Sequence, residues 1–82
     1  MVTLKYWGSL MELTGKRSEC VEAQTLAEVL AFLERTYGKE CLKQAKRMLI
    51  AVDGTNIQLL SRYKTSLKGG QTVSFLPLSG GG

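Results

Sequence analysis

Apolar and polar positions alternate from the start of the chain: Val2, Leu4 and Tyr6 fall on one side, Thr3, Lys5 and Trp7 on the other. A period of two carried by β-branched and aromatic residues predicts a strand buried on one face. The stretch GSLMELTGKR breaks the alternation, with Gly8, Gly15 and Lys16 marking a turn that has room for one helical turn. SECVEA is a weaker candidate for a returning strand, which would make the first two strands a hairpin. The period then lengthens. Leu26, Val29, Leu30, Leu33 and Tyr37 form one apolar stripe at helical spacing. Thr25 followed by Glu28 is a capping-box signature, and Gly38 stands where a left-handed C-terminal cap is expected.

CLKQAKRM predicts a second, short helical segment with Lys39, Lys43, Lys46 and Arg47 outward. LIAVDGTNI reads as an apolar strand ending at the turn pair Asp53-Gly54. QLLSRYKTSLKGG is irregular, and Gly69-Gly70 close it. QTVSFLPL is the last strand, with Val73 and Phe75 on one face and Ser74 and Leu76 on the other. Pro77 has no amide hydrogen to offer a sheet, so pairing should end there. Ser79 and the three glycines after it would project into solvent as a flexible tail, leaving residues 1–78 as the folded unit and 79–82 as the tail.

The order is therefore strand, strand, helix, short helix, strand, strand. An α+β fold, with a small mixed sheet packed against one main helix, buries one face of each. The β-grasp, or ubiquitin-like, arrangement is the candidate this order suggests. Eighty-two residues hold one domain. A 44% apolar and 22% charged composition is that of an ordinary globular protein, with no run long enough to span a membrane and no signal-peptide pattern at the start. The expected location is cytoplasmic, with no membrane partner.

Composition narrows the chemistry further. The chain has no histidine, which removes the usual general base and the usual metal ligand. Cys20 and Cys41 are far apart and lack metal-site spacing, so both read as ordinary thiols and no metal site is expected. The net charge of +4 is modest, and the basic stretch 39–47 is not interleaved with aromatics, so nucleic acid is not the expected partner. No phosphate-cradling glycine motif is present either, and stand-alone catalysis is not expected.

What remains is the end of the chain. A glycine-rich end alone could be a linker or a frayed terminus. Following a strand and a proline, it reads instead as a working part. A chain without Cβ atoms can pass a narrow channel and enter a closed, water-poor site. A terminal carboxylate is ionised near neutrality and a poor electrophile, so another protein would have to activate it.

LKYWGSLMELTGKR, TLAEVLAFLERTYG, LIAVDG and LKGGQTVSFLPLSGGG together resemble the MoaD/ThiS family of ubiquitin-like sulfur carriers. The most specific parts are the first strand running into ELTG and the ending, which is similar to the family pattern G-D-x-V-x-F-x-P-P-x-x-G-G. The length and the ELTG turn favour the molybdopterin-synthase small-subunit branch. The resemblance implies a carrier whose terminal Gly82 is adenylated with ATP by a MoeB/ThiF-type, E1-like enzyme. Sulfur from a donor protein would then convert Gly82 to a thiocarboxylate, with Gly81 completing the diglycine and Gly80 and Gly81 threading the tail. A MoaE-type large subunit would receive the sulfur for a pterin precursor; the chain itself would bind no cofactor. Conjugation to lysines through the same glycine, or sulfur carriage for thiamin or another thiolated product, are the alternatives. Leu78 departs from the pattern where a second proline is common, and Gly80 departs where a larger residue is usual.

A carrier of this kind needs a folded docking surface, since ordering the tail opposes binding. If the first and last strands are neighbours, Trp7 and Leu76 share the face opposite the core, and Met11 extends it. Trp7 is then either a docking residue or a satellite of the core beneath the turn. Arg62, Lys64 and Lys68 are candidates to flank the tail and meet acidic groups, or are simply solvated.

Overall fold

In the computed structural model, residues 1–78 are described, and they build one five-stranded mixed sheet with helices on one face. The strands are β1 (Val2–Tyr6), β2 (Ser18–Val21), β3 (Leu49–Val52), β4 (Thr55–Asn56) and β5 (Thr72–Leu76). The helices are α1 (Ser9–Thr14), α2 (Leu26–Tyr37) and α3 (Lys39–Arg47), and two 3-10 turns, Ile57–Leu59 and Arg62–Lys64, precede β5. Strand order is β2-β1-β5-β3-β4, with β1 and β5 parallel and every other pair antiparallel. This is the β-grasp order: the first and last strands lie side by side at the centre, and α2 closes one face.

The alternation read from the sequence sets the core. Leu4, Tyr6, Val73 and Phe75 point inward from the two central strands and are essentially inaccessible. The Tyr6 and Phe75 rings lie 5.9 Å apart, centroid to centroid. Leu26, Val29 and Leu33 of α2 cover them, each with no exposed surface. Thr25 caps α2 by accepting the Glu28 amide at 3.3 Å, while the Glu28 carboxylate accepts the amide of Gln24, one residue before the cap.

Three local readings change. The turn after β1 is a six-residue helix, α1, because Leu10 and Thr14 are buried on one side of it and the Thr14 hydroxyl donates to the Leu10 carbonyl. Gly38 does take a positive φ of 101°, but its ψ of 173° is not that of a left-handed cap. It ends α2 and starts α3 in one residue, so α3 begins at Lys39, earlier than CLKQAKRM suggests. The strand at LIAVDGTNI is two strands, since Asp53 and Gly54, both at positive φ, form a two-residue hairpin turn between β3 and β4.

β2 is one of the two edge strands, and the alternation sends Glu19 toward the core side, opposite Leu4. Its Oε2 accepts the hydroxyls of Tyr6 at 2.6 Å and Tyr37 at 2.7 Å, and Oε1 accepts the Lys16 ammonium at 3.2 Å. One carboxylate thus ties β1, β2 and the last turn of α2 together. An inward-pointing charge is also one of the devices that keep an edge strand from pairing with another chain.

Candidate functional site

Because β1 and β5 run parallel, their C-terminal ends finish together. The register pairs Tyr6 with Phe75, which brings Trp7 level with Leu76, and β3 places Leu49 opposite Leu76 on the other side. The outer face of the sheet therefore carries an apolar row, Trp7, Leu76 and Leu49, at the end where the chain leaves β5. Toward the other end the same face carries Thr3, Thr72 and Ser74. Trp7 is 39% exposed and stands outside the buried cluster. Leu76 is half-buried.

Gly8 shapes this root. Its φ of 58° belongs to a conformation that side chains with a Cβ rarely adopt, and a Cβ there would stand 3.8 Å from the Pro77 Cβ. The turn into α1 consequently lies against Pro77, and Met11 comes to the same side as Trp7. Trp7, Met11 and Tyr6 line a mainly apolar groove of about 410 Å³, with Lys5, Arg17 and Ser18 at its margin. Met11 is half-buried, packed against the core from that side. An apolar floor with two cations at the rim suits a partner surface of apolar side chains edged by carboxylates.

The sequence reasoning singled out Trp7, Met11 and Leu76 as docking candidates, and the fold places all three at the end of the sheet where the chain leaves β5. It missed Gly8 and Arg17; the signal for Gly8 was a glycine directly after an alternating strand. The cations separate. Lys68 belongs to the turn before β5, where its amide is bound by the Gln71 side chain and neighbouring Gly70 donates to the Met1 carbonyl. That is the opposite end of β5 from Pro77. Arg62 and Lys64 are exposed on the second 3-10 turn, which packs on α2 and away from the Trp7 groove. Gly80, Gly81 and Gly82 lie outside the described residues. Among the described residues no group of three His, Cys, Asp or Glu side chains is placed to hold a metal ion, and no helix is long and apolar enough to cross a membrane.

A five-stranded sheet in this order, gripping one long helix and offering an apolar root at the end of the central strand, defines a ubiquitin-like β-grasp domain of the carrier type. The ThiS family model matches residues 4–82, and the chain belongs to that family of ubiquitin-like sulfur carriers. Among solved structures, the CysO component of the Amycolatopsis orientalis BexX/CysO complex is similar at 19% identity and a TM-score of 0.84, with 100% of both chains covered. The small archaeal modifier protein 1 of Methanosarcina acetivorans is 24% identical with a TM-score of 0.80, covering 96% of this chain and 94% of its own. A chain in the complex of subunits 1 and 2 of the Helicobacter pylori molybdopterin-converting factor is 27% identical with a TM-score of 0.69, covering 99% of this chain and 97% of its own. No curated protein gives a significant match.

Proposed function

We propose that this protein carries sulfur for molybdopterin synthesis, as the small subunit of the synthase, on the carboxyl group of Gly82. The observation that carries the reading is the placement of the chain's exit: β5, a central strand rather than an edge, delivers Pro77 to an apolar root walled by Trp7, Met11 and Leu76. Family membership supports sulfur carriage, and the similarity to the molybdopterin-converting factor of Helicobacter pylori supports the choice of product.

In the proposed cycle an adenylating enzyme docks on the root and takes the glycines into its own site. The Gly82 carboxylate attacks the α-phosphorus of ATP and pyrophosphate leaves, giving an acyl-adenylate. A sulfur atom supplied by a donor protein at the sulfide level attacks the acyl carbon and expels AMP, leaving a thiocarboxylate. The large synthase subunit then receives the same tail; the thiocarboxylate sulfur bonds to the pterin precursor, and water cleaves the acyl–sulfur bond, leaving the sulfur on the pterin and returning Gly82 to a carboxylate. The folded domain's share is binding and positioning; exclusion of water from the activated acyl group falls to the partner's closed site. Gly80 and Gly81 present no side chain to obstruct the passage.

The test is intact-mass analysis after incubation with an adenylating enzyme of the MoeB/ThiF type, ATP and a sulfur source. The expected product gains the mass of one oxygen-to-sulfur exchange, and with a MoaE-type subunit it converts a pterin precursor to the dithiolene. An unmodified carboxylate with every such enzyme would refute sulfur carriage. Thiocarboxylate without pterin conversion would point to another thiolated product, and covalent adducts on lysines, lost on deleting Gly81 and Gly82, would point to the modifier alternative.

A further inference from the structure

A second groove adjoins the tail root on the side away from Trp7. It has a volume of about 250 Å³ and lies between the end of α3, the start of β3 and the first 3-10 turn. Met48, Leu49 and Ile57 supply apolar lining, Lys46 and Arg47 supply cations, and Leu78 borders it. At that size it falls below the ~300–1,000 Å³ of ordinary small-molecule pockets but suffices for a side chain. Around it the surface exposes apolar groups that the core does not claim: Leu78 is 55% exposed and Tyr63 40%. The Lys46 ammonium stands 5.6 Å from the centroid of the Tyr63 ring and holds that ring beside the groove.

Charge is divided sharply along the chain. Residues 1–40 carry five cations against six anions, whereas residues 41–82 carry six cations against one anion, Asp53. The ion pairs among the described residues are Met1 with Glu22 and Lys16 with Glu19, so Lys46 and Arg47 have no carboxylate partner there. The sheet is also incomplete at this place. β4 pairs with Ala51 and Val52 alone, so the edge of β3 at Leu49 and Ile50 has no strand beside it among the described residues.

We infer that this groove docks an acidic segment of a partner protein, laid in extended form along the open edge of β3 with one apolar side chain in the cavity. Backbone pairing at the strand edge supplies affinity, the cavity selects the anchor, and Lys46 with Arg47 selects for carboxylates beside it. The surface is separate from the Trp7 groove, and the inference does not depend on what chemistry Gly82 undergoes. Its position next to Leu78 means that a partner bound here holds the chain at its exit from the sheet.

The probe is an acetylated, amidated octapeptide with an Ile-Leu pair flanked on both sides by Asp and Glu. It is titrated into the full chain labelled with nitrogen-15, and the amide shifts are followed. Shifts are expected at residues 46–50, 56–58 and 78, with little change at Trp7 and Arg17. The double variant Lys46→Glu/Arg47→Glu, whose altered side chains are exposed, should keep a dispersed spectrum and bind about tenfold or more weakly, and raised salt should weaken wild-type binding. Replacing Ile-Leu by Ser-Ser should abolish the shifts at 48–50. Equal binding by the charge-reversed protein or by the Ser-Ser peptide would overturn the proposal. So would the same shifts from a short oligonucleotide, or shifts centred on Trp7. If deleting residues 79–82 moves the groove amides without any peptide, or if those amides move with protein concentration, the occupant is the chain itself and the proposal falls.

Discussion

Replacing Glu19 by alanine tests whether one carboxylate fastens the edge of the sheet to the main helix. Its side chain is 14% exposed and accepts from Tyr6, Tyr37 and Lys16. Tyr6 is 2% exposed, so its hydroxyl would lose its acceptor with little access to water, whereas Tyr37, half-buried, would regain water. An orphaned buried donor costs about 1–3 kcal/mol and a hydrogen bond to a charged group is worth about 1.5–3 kcal/mol; allowing for rehydration of Tyr37 and Lys16, Glu19→Ala should destabilise by about 2–4 kcal/mol. That is a large part of the ~5–15 kcal/mol that holds a typical domain together. For a chain of this size it lowers Tm by about 10–20 °C. Tyr6→Phe alone should cost about 1 kcal/mol, and adding it to Glu19→Ala should cost little more, because the orphaned hydroxyl is removed. Urea unfolding followed by circular dichroism gives all three values. Burial pushes the Glu19 carboxyl pKa up, but the hydrogen bonds from Tyr6, Tyr37 and Lys16 and the Lys16 charge outweigh it, and the net is below the usual range. The stabilisation is therefore present above the unfolded-state pKa of ~4.3 and is lost as pH falls through the lower folded value, so wild type and variant should converge in acid. A Glu19→Ala variant within about 0.5 kcal/mol of wild type at neutral pH, or a double variant equal to the sum of the singles, would refute the account.

Gly8→Ala places a Cβ on a residue at φ 58° and ψ −133°, a region that side chains with a Cβ rarely adopt, and should destabilise by about 1–3 kcal/mol, read by the same urea titration. Cys20 is exposed and Cys41 buried, with the Cys41 thiol pushed up by burial and then by the Glu19 charge; a thiol reagent should label Cys20 in the native protein and Cys41 only on unfolding. Trp7→Ala should leave the fold intact and weaken binding to an adenylating enzyme by about 2 kcal/mol, roughly thirtyfold by titration calorimetry; unchanged affinity would remove Trp7 from the docking surface. Above pH ~10 the protein should lose stability through Tyr6. Burial, then the hydrogen bond to Glu19, raises its hydroxyl pKa, so the unfolded chain ionises first; alkaline unfolding of Tyr6→Phe should show a smaller loss.

The parts of this fold that one face decides were legible in the sequence. Val73 and Phe75, and the stripe on α2, are set by burial alone, and period two or 3.6 records burial directly. β2 was faint because its inward position holds Glu19, a charge where alternation expects an apolar side chain. The length of α1 was hidden for a related reason: its buried face consists of Leu10 and a threonine that satisfies its own hydroxyl within the helix. The place of Lys68, at the far end of β5 from Pro77, was not legible because irregular residues leave no period from which to count, and the two 3-10 turns return the chain to the start of the sheet before β5 begins. Of the site, Trp7 and Leu76 could be inferred once β1 and β5 were taken as neighbours, but Gly8, Arg17 and Leu49 join them only through the turn geometry and the third strand.

The two grooves have a common origin in the position of β5. A final strand at the sheet's edge would give the exiting chain one neighbour; at the centre it has β1 on one side and β3 on the other, so the root has two walls. The β1 wall ends in Trp7, followed by a glycine that turns α1 against Pro77. The β3 wall begins after α3, whose last turn carries Lys46 and Arg47 where cations complement the helix dipole. Both walls are apolar with two cations, Lys5 and Arg17 at the first and Lys46 and Arg47 at the second; they differ in the open edge of β3 at Leu49 and Ile50, which lies beside the second alone and suits an extended segment. Leu78 borders the second. A leucine there extends the apolar lining of that groove, so Leu78→Pro should weaken the acidic-peptide probe while leaving partners of the Trp7 wall unaffected. Equal loss at both walls, measured with the same two titrations, would mean that the root acts as a single surface.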